Sequence, residues 1–192
     1  MGVYTRAYFG KERYDNLYAA SGGHSVPIIN GEQQAAGEAH RAIVTRYERD
    51  HDGVRFDLDL THAYSPEARI RSFLRSFEWK VCEEEASAEF TLTDHFVFDE
   101  VTGDKERSLT EHFISFHKPE INGDEVTWLG EKGKVVLRFD PLQLTAHVET
   151  VEIPSRDPQA LVVYRLHLLA KQLAPVYTCR LVMLCYLYKP VQ

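Results

Sequence analysis

The chain has 192 residues, enough for one domain with a sizeable core, and its 44% apolar and 11% aromatic residues are typical of a globular protein. The formal net charge of -7, without any long run of Lys or Arg, argues against nucleic-acid binding. No apolar run approaches the ~18 residues that a membrane-spanning helix needs. We therefore expect one globular domain over residues 1–192, with neither a nucleic acid nor a membrane as partner.

The first forty residues are rich in glycine and polar side chains and lack the alternation of a strand. The central stretch reads Ser21-Gly22-Gly23-His24-Ser25-Val26-Pro27-Ile28-Ile29-Asn30-Gly31, followed by Gln33-Gln34, Gly37 and Arg41. Two glycines before His24 allow the backbone to approach closely, and Pro27 suits the margin of a sheet. A neutral imidazole is a good ligand for zinc-like metals, although a hydrogen-bonded turn histidine is the alternative. We predict that His24 lies at a concave sheet margin near Asn30 or Gln34.

Period-two alternation of apolar residues dominates from about residue 38 to residue 188. One such strand places Phe90, Leu92, Phe96 and Phe98 on a single face. Val162-Val163-Tyr164 favours a strand over a helix because β-branched and aromatic residues suit a pleated surface. Asn122-Gly123 predicts a hairpin, and short turns between the strands of residues 88 to 150 predict a meander. The chain is thus expected to be all-β, an antiparallel two-sheet β-sandwich with helix below about 15%.

Several residue types coincide at fixed offsets with one known family. The element Glu12-Arg13-Tyr14 and the spacing from His24 to Pro27, Gly31 and Gln34 resemble the C-terminal domain of the heparinase II/III polysaccharide lyases. Further matching elements are residues 59–64 (Asp-Leu-Thr-His-Ala-Tyr), 75–77 (Arg-Ser-Phe), 93–96 (Thr-Asp-His-Phe) and 110–113 (Thr-Glu-His-Phe). The chain departs from the family at Ser25, where an Asn usually follows the His.

The resemblance implies a function on acidic polysaccharides. Members of the family cleave glycosaminoglycans or alginate by β-elimination next to a uronic acid, and most of their catalytic groups belong to an N-terminal α-helical toroid that this sequence lacks. No complete catalytic set is therefore expected in this chain. His24 matches a position at or near a bound metal, so a divalent cation such as zinc is expected there only with upstream ligands. Asn30, Gln34 and Arg41 are the candidate substrate contacts, and the family is periplasmic or secreted.

A carbohydrate-binding or structural β-sandwich module without catalysis is the alternative function. Trp79 and Trp128 could stack on sugar rings, but core packing is the favoured interpretation for both. His112 is expected to be a hydrogen-bonded core residue, and His95 to lie with Thr91 and Thr93 on a solvated face. A sandwich that lacks its first strands exposes an unpaired edge, which predicts a homodimer through that edge or aggregation. We also expect no turnover of heparin, heparan sulfate or alginate by the chain alone.

Overall fold

The computed structural model describes residues 10, 13–14, 17–82, 87–100, 106–153 and 161–188. Strands make up 61% of the structure and helix 7%, which confirms the predicted all-β class with little helix. Short 3-10 turns of three residues each lie at Ser21–Gly23, Thr61–Ala63 and Pro66–Ala68. None of the described helical segments is long and apolar enough to cross a membrane.

Twelve strands within the described ranges form two antiparallel sheets. In chain order they are β1 (Ile28–Ile29), β2 (Ile43–Arg49), β3 (Gly53–Asp59), β4 (Ile70–Cys82), β5 (Ser87–Phe98), β6 (Leu109–Ser115), β7 (Glu120–Asn122), β8 (Glu125–Leu129), β9 (Gly133–Arg138), β10 (Leu144–Ile153), β11 (Leu161–Ala170) and β12 (Val176–Leu187). The small sheet has the order β1-β6-β11-β10, and the large sheet has the order β2-β3-β4-β5-β12-β9-β8-β7. The predicted strand over residues 162–164 is confirmed as part of β11.

The core lies between the two sheets and draws on both. Phe73 and Phe96 of the large sheet are fully buried, with ring centroids 4.4 Å apart, and Leu166 and Leu168 of the small sheet are fully buried in the same cluster. Burying a large apolar side chain contributes about 1.5–3 kcal/mol relative to leaving it exposed. The predicted inward face of β5 is confirmed, since its phenylalanines and Leu92 belong to this cluster or pack against it.

The strand connections differ from the predicted meander. Among the described strands of residues 88 to 150, only β7, β8 and β9 follow one another in the sheet in that way, whereas β2 to β5 form a second consecutive run that begins earlier in the chain. The Asn122-Gly123 hairpin between β7 and β8 is confirmed, with Gly123 at a φ of +63°. β5 pairs with β4 and β12, whereas β6 and β10 belong to the other sheet. The prediction failed because alternation identifies the buried face of a strand but not its neighbour.

The aromatic and polar faces also required corrections. Trp128 is half-buried against the core, as predicted, but Trp79 is 38% exposed on β4 and packs beside Phe90. Thr91 is buried rather than solvated, and His95, paired with Thr178, is half-buried. A strand in the middle of a large sheet has neighbours on both sides, which shield even the side chains of its outer face.

Candidate functional site

His24 lies at the end of a 3-10 turn, Ser21–Gly23. Glycine is required at position 23, because a Cβ there would be 1.7 Å from the carbonyl oxygen of Leu17. The backbone N–H of His24 donates to Ser21 O at 2.9 Å, and its Nε2 lies 3.2 Å from Tyr18 O. When Nε2 donates that hydrogen bond, Nδ1 carries a lone pair on an exposed ring.

A shallow depression of about 500 Å³ surrounds His24. Gln33, Gln34, His40 and Tyr14 are among its lining residues. Two hydrogen bonds hold the amide-bearing segment against the turn: Gly22 N donates to Gln33 Oε1 at 3.1 Å, and Gln34 N donates to Ser21 Oγ at 2.9 Å. The 3-10 turn and the glutamine segment therefore form one structural unit with imidazole and amide groups at its surface.

The predicted site residues do not all meet in this depression. His24 and Gln34 line it together, whereas Asn30 and Arg41 are not among its lining residues. Asn30 has a φ of +53°, and its amide donates to Ala68 O at 2.6 Å and accepts from Ser108 N at 2.9 Å. The amide nitrogen and the amide oxygen of Asn30 thus connect its own segment to the segments of Ala68 and Ser108. Arg41 is exposed on the segment before β2.

The sequence analysis did not select several residues that line the depression, among them Gln33, His40 and Tyr14. Gln33 had a usable signal, since it neighbours Gln34 in the same motif. His40 had none, because it reaches the depression through a turn at Gly37, whose φ is +118°, and its Nδ1 lies 3.2 Å from His62 O. Among the described lining residues there is no carboxylate, Lys or Arg, so the surface offers imidazole, amide and hydroxyl groups that hydrogen-bond hydroxyls.

The described residues around His24 do not complete a metal site. The group whose ligand atoms all lie within 4.8 Å of one another is Asp50, His51 and Asp52, in the exposed hairpin between β2 and β3. The Asp50 carboxylate already accepts from the N–H groups of Asp52 and Gly53, at 2.9 Å each, which is the ordinary role of an aspartate in a turn. Within the described ranges, a cation at His24 has no comparable set of ligands.

A charged cluster lies buried between the two sheets, next to the segment that follows His24. Arg75 of β4 is 5% exposed, and Asp94 of β5 and Glu111 of β6 are each 1% exposed. Arg75 holds Asp94 with two donors, Nε to Oδ1 at 2.7 Å and Nη2 to Oδ2, and Nη2 lies 3.2 Å from Glu111 Oε2. The Arg75–Asp94–Glu111 cluster therefore links the large sheet to the small one.

Glu111 is the member of this cluster whose charged form is disfavoured by its surroundings. Burial, and secondarily the negative charge of Asp94, raise the pKa of Glu111 well above its usual range, although Arg75 opposes the shift. Its Oε1 has no hydrogen-bond partner among the described residues. A carboxyl group in this position is more easily accommodated in its neutral form. The electrostatics of the cluster therefore favour the neutral form of Glu111 beside the Arg75–Asp94 ion pair.

The buried cluster also contacts the segment that follows His24. Arg75 Nη1 lies 3.5 Å from Ser25 O, and the hydroxyl of buried Tyr64 donates to Pro27 O at 2.7 Å. Ser25 Oγ accepts from Ile114 N of β6 at 3.1 Å. Polar groups of both sheets therefore fix the residues immediately after His24.

The fold defines the chain as an antiparallel β-sandwich similar to part of several solved polysaccharide lyases. Heparan sulfate lyase HepC from Pedobacter heparinus matches with a TM-score of 0.68 and 12% identity, over 100% of this chain and 28% of that one. A heparinase III-BT4657 gene product matches at 0.65 and 11%, over 98% and 27%. A heparinase III structure matches at 0.62 and 11%, over 96% and 26%.

These likenesses concern the fold, at the level of the β domain. The chain spans about a quarter of the length of the lyases it matches. No family model matches the sequence, and no curated protein matches it either. The resemblance to the heparinase II/III family is therefore supported by architecture rather than by sequence identity.

Proposed function

We propose that this chain is the β-sandwich domain of a lyase that acts on acidic polysaccharides by β-elimination at a uronic acid. The observation that carries the proposal is the fold likeness, which extends over 96–100% of the chain in three lyase structures. In this proposal the depression around His24 and Gln34 forms part of the wall of the glycan cleft. Asn30 supports the wall from behind through its two hydrogen bonds, and Arg41 lies outside it.

The chemistry of the depression limits what this domain contributes. β-Elimination needs a base for the C5 proton, an acid for the leaving oxygen and neutralisation of the uronate carboxylate. The His24 imidazole can exchange a proton, and the side chains of Gln33 and Gln34 can bind hydroxyls. Because the described lining has no Lys or Arg, the permanent positive charge that neutralises the uronate carboxylate must come from groups outside this depression. The domain therefore binds and orients the glycan without a complete catalytic set.

Glycan binding and turnover by the chain test this proposal. We expect heparan sulfate or alginate oligosaccharides to bind, with no growth of the ultraviolet absorbance of an unsaturated uronate product. Losing one hydrogen bond costs about 0.5–1.5 kcal/mol, so His24→Ala and Gln34→Ala should each weaken binding about two- to tenfold. His51→Ala, in the distant β2–β3 hairpin, is the control and should bind normally. Turnover by the chain, or equal effects of all three variants, would contradict the proposal.

A carbohydrate-binding module without catalysis is the second candidate, because a lining without Lys, Arg or carboxylates among its described residues also suits neutral sugars. The discriminating measurement is a comparison of acidic oligosaccharides with neutral ones of equal length. Preference for uronate-containing glycans supports the lyase domain. Equal affinity for neutral glycans supports the binding module instead.

A further inference from the structure

A row of three histidines crosses the outer face of the small sheet. His147 of β10 is directly opposite His167 of β11, which is directly opposite His112 of β6. The rings of His147 and His167 are stacked with centroids 4.3 Å apart, and those of His167 and His112 meet edge to face at 4.5 Å. Three imidazoles on adjacent strands in one register thus lie side by side, although they are not among the described groups whose ligand atoms all lie within 4.8 Å of one another.

Two of these rings have a nitrogen that is available to a ligand: a hydrogen bond orients one ring, and the other ring has an unpartnered nitrogen. His167 Nε2 lies 2.8 Å from Glu149 Oε2, and when it donates there the lone pair of the neutral ring is on Nδ1. A carboxylate that orients a histidine in this way is the usual outer contact of a metal-binding imidazole. His112, which was expected to be a satisfied core residue, is 6% exposed, and its Nδ1 has no hydrogen-bond partner in the described part of the chain.

The electrostatic surroundings favour neutral imidazoles. Burial, followed by the charges of His167 and Arg165, lowers the pKa of His112 to about 4. Burial also lowers the pKa of His167, although its hydrogen bond with Glu149 opposes the shift. Arg165 would repel a cation, but its Nη1 donates to Glu149 at 3.0 Å, so this carboxylate offsets its charge.

We propose that His112, His147 and His167 form a site for a zinc-like divalent cation, with Glu149 as the group that orients His167. Three imidazoles are a donor set that zinc accepts, leaving a further position for water. The rings are stacked rather than convergent in the ligand-free chain, so the exposed ring of His147 must rotate about its side-chain bonds when the metal binds. This site is independent of the proposed function and does not include His24.

Metal binding by the full chain, measured by calorimetry with Zn²⁺ and by the visible absorption of Co²⁺, tests the site. We expect one equivalent to bind, and His147→Gln and His167→Gln each to weaken binding about 10- to 100-fold. His147 is exposed, so its substitution is not expected to disturb folding. The matched controls are His24→Gln and His51→Gln, which should bind as the wild type does.

Two results would overturn the proposal. One is the absence of a Zn²⁺ equivalent bound at micromolar concentrations. The other is binding that does not depend on the three histidines. Binding that survives His147→Gln and His167→Gln, or that is lost equally in a control variant, would assign the metal elsewhere: to the depression if His24→Gln loses it, and to the Asp50 hairpin if His51→Gln loses it. Circular dichroism of each variant separates loss of the site from loss of the fold.

Discussion

Replacing Arg75 with Met tests the buried Arg75–Asp94–Glu111 cluster directly. The substitution removes the only cation of the cluster and leaves a side chain of similar length between the two sheets. Because Asp94 is 1% exposed, its carboxylate loses both of its bonds to Arg75 without gaining water. Removing one partner of a buried ion pair is destabilising by about 3–5 kcal/mol.

The size of the effect follows from the way in which the variant can relieve the buried charge. The isolated carboxylate can take up a proton, and a carboxyl group of ordinary acidity costs about 4 kcal/mol to protonate at pH 7. At pH 5 the same protonation costs about 1.5 kcal/mol. We therefore expect Arg75→Met to lower the free energy of unfolding by about 4 kcal/mol at pH 7, and by a much smaller amount at pH 5.

Urea unfolding, followed by tryptophan fluorescence at both pH values, measures this loss. Arg55→Met is the matched control, because Arg55 of β3 pairs with Asp57 of its own strand and with Glu78 of β4, but its side chain is 40% exposed. Pairs of that kind contribute about 0–1 kcal/mol. The reasoning is refuted if the two variants lose similar stability at pH 7, or if the loss from Arg75→Met is the same at pH 5.

Three further predictions concern neighbouring features. The raised pKa of Glu111 means that the folded state holds its proton above the usual pKa of 4.5, so stability falls as pH rises from 4.5 towards the folded pKa. Glu111→Gln removes this fall, so its stability relative to wild type should rise with pH over that range, by at most about 1.4 kcal/mol per pH unit, in urea titrations. Val44 is 56% exposed on the edge strand β2, so Val44→Lys should reduce self-association in sedimentation velocity, and a wild type that stays monomeric would contradict this. Tyr64→Phe leaves Pro27 O unpaired and should lower the free energy of unfolding by about 1–3 kcal/mol, whereas an unchanged urea midpoint would exclude a role for that bond.

The β-sandwich could be predicted from the sequence because burial at every second position is a local property of each strand. The face of β5 that carries Phe96 and Phe98 was identified in this way, and the Asn122-Gly123 turn was identified from its backbone requirement. The pairing of β5 with β12 could not be, because these strands are distant in sequence and nothing local encodes their contact. The depression was predicted in part, since His24 and Gln34 belong to one motif while His40 approaches through a separate turn.

The buried cluster was missed although each of its members left a signal. Asp94 lies between Leu92 and Phe96 in the same phase, and Arg75 and Glu111 likewise occupy positions where alternation requires an apolar residue. A single in-phase charge is usually taken as an interruption of the strand pattern. Three of them, with a cation and an acid on two paired strands and a second acid on a facing strand of the other sheet, are instead the pattern of a buried ion cluster. Strand pairing was needed to recognise it, and alternation does not supply that pairing.

The buried cluster also bears on how the two sheets are aligned and how the segment with His24 is held against them. Apolar burial is proportional to area and nearly indifferent to direction, so it holds the two sheets together without fixing their alignment. A guanidinium that binds Asp94 with two donors and also reaches Glu111 is directional, and it links the sheets in one relative position. The same guanidinium approaches Ser25 O. The charged core therefore helps to position the residues next to His24, and substitutions at Arg75 should alter the proposed glycan binding at His24 as well as stability.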